Sequence, residues 1–180
     1  DSFFFFFLSE KDKHVIDVTG VAGTMLFNIK FFILFVEICK LLDIPMNILP
    51  EVKDCADNFA LINKKFFGKE IPINGVAGDQ QSAAIGQACF EKGMVKSTYG
   101  TGCFALLNIG DKMVISKNKL LTTIAYRLEG KTTYALEGSI FIAGAVIQWL
   151  RDGLKIIKNA KEAQELAKNA DTNQQLYMVP

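Results

Sequence analysis

Three short stretches carry residues whose types and spacing could do chemistry. In Gly78-Asp79-Gln80-Gln81 a single carboxylate follows an apolar run and precedes two amides. At the carboxyl end of a strand, where open α/β sheets place their ligands, Asp79 could take a proton from a substrate hydroxyl during phosphoryl transfer, or hold Mg²⁺ through water. Gln80 and Gln81 would offer neutral donors and acceptors to a polyol. The same letters also spell a helix N-cap followed by first-turn residues that face water. In Tyr99-Gly100-Thr101-Gly102, glycines flank a hydroxyl. They allow unusual backbone angles and let a phosphate approach main-chain N–H groups, with the Thr101 hydroxyl as a further donor. A tight hairpin turn would use the same glycines, and the chain has no GxxxxGK[ST] loop. Gly144 and Gln148, four residues apart, share one helix face. A flat group could lie on the bare Gly144 while Gln148 meets the polar edge of a nucleotide; close packing beside a solvated Gln148 is the alternative. His14, with Asp17 and Thr19 nearby, has no Ser or Cys nucleophile in a recognisable setting and reads as a strand or loop residue.

Elements that could position these residues alternate along the chain. Residues 1–12 read as a low-complexity lead-in of exposed phenylalanines. "KHVIDVTGVAGTMLFNI" reads as a short strand, a glycine turn and another apolar segment. "FFILFVEICKLLDIP" gives a helix with a narrow wet stripe at Glu37, Lys40 and Asp43, stopped before Pro45. A loop-rich connection follows, punctuated by Pro45, Pro50 and Gly68. "IPINGVAG" is a buried strand, and "DQQSAAIGQACFEKG" a helix stopped by Gly93. "MVKSTYGTGCFALLNIG" gives two strands around a glycine turn; "LLTTIAYRLEGKTTYALEG" gives a hairpin turning at Glu129-Gly130. "SIFIAGAVIQWLRDGL" is a helix with an apolar face at Ile140, Ala143, Ile147 and Leu150. "AKEAQELAKNA" is a more polar helix, and "QQLYMVP" begins another strand. The class is α/β, without internal repeats.

Composition narrows the functions. Twenty basic and nineteen acidic residues leave a formal charge of +1, so no basic field exists to drive nucleic-acid or membrane binding. Only Arg127 and Arg151 could clamp a phosphate in bidentate fashion. Four scattered cysteines and one histidine argue against a zinc site and suit a reducing cytoplasm. The apolar runs fall short of the roughly 20 residues a membrane span needs. The chain opens on Asp1 rather than Met, which suits a fragment, a processed product or a mistranslated start.

Taken together and in order, "GVAGDQQSAAIGQACFEKGMVKSTYGTGCF" and "LEGSIFIAGAVIQWLRDGL" resemble the FGGY carbohydrate kinase family, and specifically its glycerol-phosphorylating members. "HVIDVT…TMLFNI" and "LLDIPMNILPEV" share the likeness, which runs from about Lys13 to Pro180. The resemblance implies an actin-like, ribonuclease H-like fold of two lobes with a cleft between them. Residues 13–92 would be the C-terminal part of the N-terminal, substrate lobe, and 93–180 the first part of the C-terminal, nucleotide lobe. It implies ATP and Mg²⁺ as cofactors and glycerol as acceptor. Asp79 would be the catalytic base, contacting glycerol and holding Mg²⁺ through water. Gln80 would bind glycerol and Phe104 would line its carbon chain. Thr101 and Gly102 would contact nucleotide phosphates, with Gly144 and Gln148 further along the ATP site.

The pattern also departs from the family. The first phosphate loop, the amino-terminal Asp near Mg²⁺ and the Arg, Glu and Tyr that grip glycerol belong to a segment outside this chain, as do the later adenosine contacts. Gly20, Ala22 and Gly23 stand where the family has Asn, Ser and Arg, "FFILFVE" stands in place of a Trp-Asp pair, and Glu70 precedes "IPI" where some members have Arg. The expectation is a truncated glycerol-phosphorylating kinase with weak or no activity alone. A non-catalytic nucleotide-binding or interaction remnant, and another FGGY sugar kinase, stay open. A homo-oligomer or a complementary chain would supply the missing surfaces.

Overall fold

The amino-terminal phenylalanines fold back onto the protein. In the computed structural model, which describes residues 1–175, helix α1 (Ser2–Leu8) buries Phe5 beside Phe59 and Val15. The Phe5 and Phe59 ring centroids lie 5.6 Å apart. Phe3, Phe4 and Phe7 remain exposed. The expected lead-in thus supplies one core side chain, because a helix turns only one of five consecutive phenylalanines fully inward.

The chain divides into two compact units: Asp1–Lys96 with Leu106–Glu137, and Ser97–Ala105 with Gly138–Pro180. The first contains β1 (Val15–Asp17), α2 (Val18–Ala22), β2 (Phe27–Asn28), β3 (Ile33–Leu34), α3 (Val36–Leu41) and a 3-10 turn at Met46–Ile48. Then follow β4 (Glu51–Lys53), β5 (Ala56–Ile62), α4 (Lys64–Phe67), β6 (Ile71–Gly75) and α5 (Asp79–Gly86). β1 pairs in parallel with β4, whereas β2–β3 and β5–β6 are antiparallel. Val18, Val21, Phe27, Cys55, Ile109, Ile124 and Tyr134 form the principal core.

Several elements differ from the sequence reading for local reasons. The glycine turn after β1 is helix α2, because Asp17 caps it by accepting from the Thr19 and Gly20 N–H groups. The long helix expected around "FFILFVEICKLL" contracts to α3, since Ile33 and Leu34 pair with Asn28 and Phe27 instead. The loop-rich connection contains β4, β5 and α4, with Gly68 closing α4 at φ +77°. β6 is partly exposed rather than buried; it packs against β5 in a two-stranded sheet. α5 ends at Gly86, before the expected stop at Gly93.

The larger sheet has four strands in the order β7-β8-β10-β9: β7 (Val95–Tyr99), β8 (Cys103–Gly110), β9 (Leu121–Leu128) and β10 (Lys131–Ile140). β9 and β10 form the expected hairpin, and its two turn residues Glu129 and Gly130 have φ of 51° and 73°. Both values fit the twist of a two-residue hairpin turn. β10 runs on to Ile140, so the following helix starts later than its apolar pattern suggests. That helix is α6 (Gly144–Gln148), continued by a π-helical turn at Trp149–Gly153. The polar helix is α7 (Ala160–Asn169). The Asn159 side chain accepts from Glu162 N–H at its start, while the Glu162 carboxylate accepts from Lys158 N–H. The strand expected in "QQLYMVP" lies, from Leu176 onward, outside the described residues.

Candidate active site

Asp79 is the first residue of α5, and Gly78 occupies the cap position without a side-chain cap bond. The carboxylate is exposed. It accepts from Gln80 N–H at 2.8 Å and from Gln80 Nε2 at 3.3 Å. Asp79 therefore does not cap the helix, although its charge suits a helix amino terminus. Gln80 is half-buried and its Oε1 accepts from the Lys96 ammonium. Lys96 is only 3% exposed. An ammonium has donors alone, so it fixes the Gln80 amide with its oxygen toward Lys96 and its nitrogen toward Asp79. Gln81 faces neither water nor a polyol. It is buried and its Nε2 donates to the Ile124 carbonyl at 3.3 Å. One turn further on, Ala84 packs with Cys89, Leu106, Ala125 and Ala135; small side chains let α5 sit close to the strands.

The residue before Asp79 is fastened as well. Gly78 N–H donates to Thr19 Oγ1 at 2.8 Å, and the Thr19 hydroxyl donates to the buried Asp17 carboxylate. The sequence reading met Asp17 and Thr19 only as neighbours of His14, gave them no part in the Asp79 site, and passed over Lys96. An Asp-x-Thr spacing, which favours local side-chain-to-backbone bonds, was the one signal that could have marked the first two.

In the second unit the Gly100–Gly102 turn meets the start of α6. Ala143 N–H donates to the Thr101 carbonyl at 2.7 Å and Gly144 N–H to the Gly100 carbonyl at 2.8 Å. A Cβ on Gly144 would lie 2.5 Å from the Gly100 carbonyl oxygen, and one on Gly102 would lie 2.7 Å from that of Ile140. Close packing thus accounts for both glycines on its own. Among the described residues, the N–H groups of Thr101 and Gly102 and the Thr101 hydroxyl donate no hydrogen bond. Thr101 and Gln148 are exposed and Phe104, on β8, is half-buried. The structure thus brings Thr101, Gly102 and Gly144 together, and separately Asp79 with Gln80.

A cavity of about 400 Å³ in the first unit has Val76, Ile85, Phe90 and Leu128 in its wall, and none of the candidate residues lines it. Its apolar wall is a poor match for a polyol. Cys55, at its edge, is pushed up from 9.0 to about 11, chiefly by burial and secondarily by nearby Asp17 and Asp54, against an opposing backbone bond from Arg127. This thiol is inert at neutral pH. Among the described residues no group of three or more His, Cys, Asp or Glu could hold a metal, so any cation at Asp79 would rest on one carboxylate plus water and substrate oxygens. Among the same residues, no helix is long and apolar enough to cross a membrane. His14 is exposed in a loop, edge-on to Phe6.

Comparison with known proteins gives a consistent set of relatives. The N-terminal domain of the FGGY family of carbohydrate kinases matches residues 1–86, and the C-terminal domain of the same family matches residues 95–180. Glycerol kinase of Cereibacter sphaeroides is 63% identical over all 180 residues, and that of Chelativorans sp. is 58% identical; the chain spans 36% of the length of each. A crystal structure of Plasmodium falciparum glycerol kinase with ADP has a TM-score of 0.86 at 39% identity, covering 94% of this chain and 34% of that one. Ligand-bound xylulose kinase from Lactobacillus acidophilus, at 22% identity, has a TM-score of 0.79 over 94% of this chain and 34% of its own. That second likeness is one of fold.

Proposed function

We propose, from the fact that this chain belongs to the FGGY family of carbohydrate kinases and has their actin-like α/β fold, that it carries acceptor and donor residues of an ATP:glycerol 3-phosphotransferase. The observation that carries this reading is 58–63% identity to glycerol kinases along all 180 residues. The exposed Asp79 carboxylate, with an oriented Gln80 amide beside it, is consistent with it. Residues 13–92 are assigned to the N-terminal, substrate lobe and 93–180 to the C-terminal, nucleotide lobe.

Asp79 accepts the proton of a terminal glycerol hydroxyl as that oxygen bonds to the γ-phosphorus of ATP. The bond from the γ-phosphorus to the β-γ bridging oxygen breaks, releasing ADP and sn-glycerol 3-phosphate. Gln80 Nε2 donates to the reacting hydroxyl, and Phe104 flanks the carbon chain. The unspent donors of Thr101 and Gly102 bind phosphate oxygens, with Gly144 and Gln148 further along the nucleotide. Mg²⁺, held at Asp79 through water, would offset phosphate charge when bound. The work is mainly positioning and charge stabilisation, and the cytoplasm supplies both substrates.

Because the chain spans 36% of its relatives' length, it is assigned weak catalysis by itself. A coupled assay with glycerol and Mg-ATP tests this, and turnover of about 1–100 s⁻¹ would refute it. Asp79→Asn lowers any measured turnover by roughly 10²–10⁴-fold with ATP affinity nearly intact; unchanged turnover would remove Asp79 from the chemistry. The same short coverage favours a second reading, a nucleotide-binding module without catalysis. Calorimetric ATP binding with no turnover at all would support it.

A further inference from the structure

We infer that Asp17 and Thr19 are positioning residues for Asp79, holding in place the turn that presents its carboxylate; the functional meaning of this role rests on the kinase reading above. Asp17 ends β1 and has no solvent exposure. Its Oδ2 accepts the Thr19 N–H at 2.8 Å and the Thr19 hydroxyl, and its Oδ1 accepts the Gly20 N–H at 3.1 Å. The Cys55 thiol adds a weak donor at 3.7 Å. A carboxylate only accepts, so the Thr19 hydroxyl proton is committed to Asp17. The hydroxyl oxygen then keeps its lone pairs for the Gly78 N–H, 59 residues along the chain at 2.8 Å. A hydroxyl polarised in this way is a stronger acceptor than an isolated one.

A helix start can be capped more simply. Helices are ordinarily capped by a Ser, Thr, Asp or Asn side chain at the cap residue itself. Here the cap residue has no side chain, and a Cβ on it would meet Gln81 Oε1 at 2.7 Å. The turn is held instead from a separate strand by a buried carboxylate, an expensive group to remove from water unless it is fully bonded. The residue it holds is the immediate neighbour of Asp79. Groups that react must be held to roughly 0.5 Å by such a supporting layer, and the Asp17–Thr19–Gly78 chain supplies one side of it.

The test is amide hydrogen exchange by NMR on the whole 180-residue chain, paired with glycerol titration in the presence of Mg-ATP. In Thr19→Val, Gly78 N–H exchanges about tenfold faster while the β8 amides keep their rates; Thr19→Ser restores slow exchange. Glycerol-dependent shifts of the Gln80 side-chain amide move to about tenfold higher concentration in Thr19→Val and return in Thr19→Ser. Asp17→Asn gives the same pattern if it folds, and the Thr19 pair decides the matter if it does not. Unchanged Gly78 exchange in Thr19→Val overturns the relay. Faster exchange with unchanged glycerol affinity overturns the positioning role. Absence of any glycerol response in the unsubstituted chain overturns the acceptor-site reading and, with it, this role, while the exchange data still judge the hydrogen-bonded relay.

Discussion

Replacing Gly144 by Ala separates packing from ligand binding as the reason for that glycine. The new Cβ would lie 2.5 Å from the Gly100 carbonyl oxygen, about 0.9 Å inside the 3.4 Å at which ordinary contact begins. Both sides of this contact are backbone, so no flexible side chain can swing away. Relief requires α6 to move off the glycine turn, stretching the 2.8 Å bond from Gly144 N–H and the 2.7 Å bond from Ala143 N–H. Overpacking of this kind costs about 1–3 kcal/mol, and a weakened hydrogen bond adds about 1 kcal/mol. With a urea m-value of about 2 kcal/mol/M, the unfolding midpoint falls by roughly 1–2 M. Trp149, the single tryptophan, lies directly after α6 and reports the transition by fluorescence. Gly86→Ala is the control: its Cβ would meet nothing within 4 Å at the last residue of α5, and the change moves stability by no more than about 0.5 kcal/mol. A Gly144→Ala midpoint equal to that of the unsubstituted chain, with ATP affinity reduced, would refute the packing argument.

Phe5→Ala destabilises by about 3 kcal/mol in urea melts, because Phe5 is 6% exposed and packed on Phe59. Phe4→Ala, at a position 62% exposed, changes stability by no more than about 0.5 kcal/mol. Equal effects would show that α1 does not dock through Phe5. The raised Cys55 thiol gives a pH signature. Its folded value of about 11 exceeds the ordinary 9.0, so its contribution is complete below pH 9 and is lost as pH rises toward 11. The loss amounts to about 2 kcal/mol. Cys55→Ala reduces that slope and leaves the part due to Tyr134, whose phenol is also pushed up by burial; an unchanged slope would place the whole titration elsewhere.

Strong local chemistry made the sheet hairpins readable. "YGTGCF" and "LEGK" each put turn residues between alternating apolar runs, and β7–β10 follow that pattern. The polar helix α7 declared itself through Asn159 and Glu162. Readability failed where short elements are fixed by strand pairing rather than by their own periodicity. α3 shrank because Ile33 and Leu34 found Phe27 and Asn28, a pairing that helical periodicity cannot show. "IPING" is apolar enough for a buried strand, yet its partner β5 leaves it partly wet. The candidate site was visible as Asp79 and Gln80, whose identities suit the chemistry. Its supports were not, since Thr19 and Lys96 reach the turn from 59 and 16 residues away and only folding brings them there. Gln81 looked like the twin of Gln80 and instead ties the helix to Ile124.

The polypeptide leaves the first unit after Lys96, returns at Leu106 and departs again after Glu137. Neither unit is therefore encoded as one uninterrupted stretch. A stop codon placed anywhere from 97 to 137 would strand at most nine residues of the second unit without the remainder, and would deprive the first of strand material it draws from beyond the break. Gene-splitting experiments that seek two halves able to reassemble therefore meet a cost at every cut: one before Glu137 divides the first unit, and one directly after it severs β10.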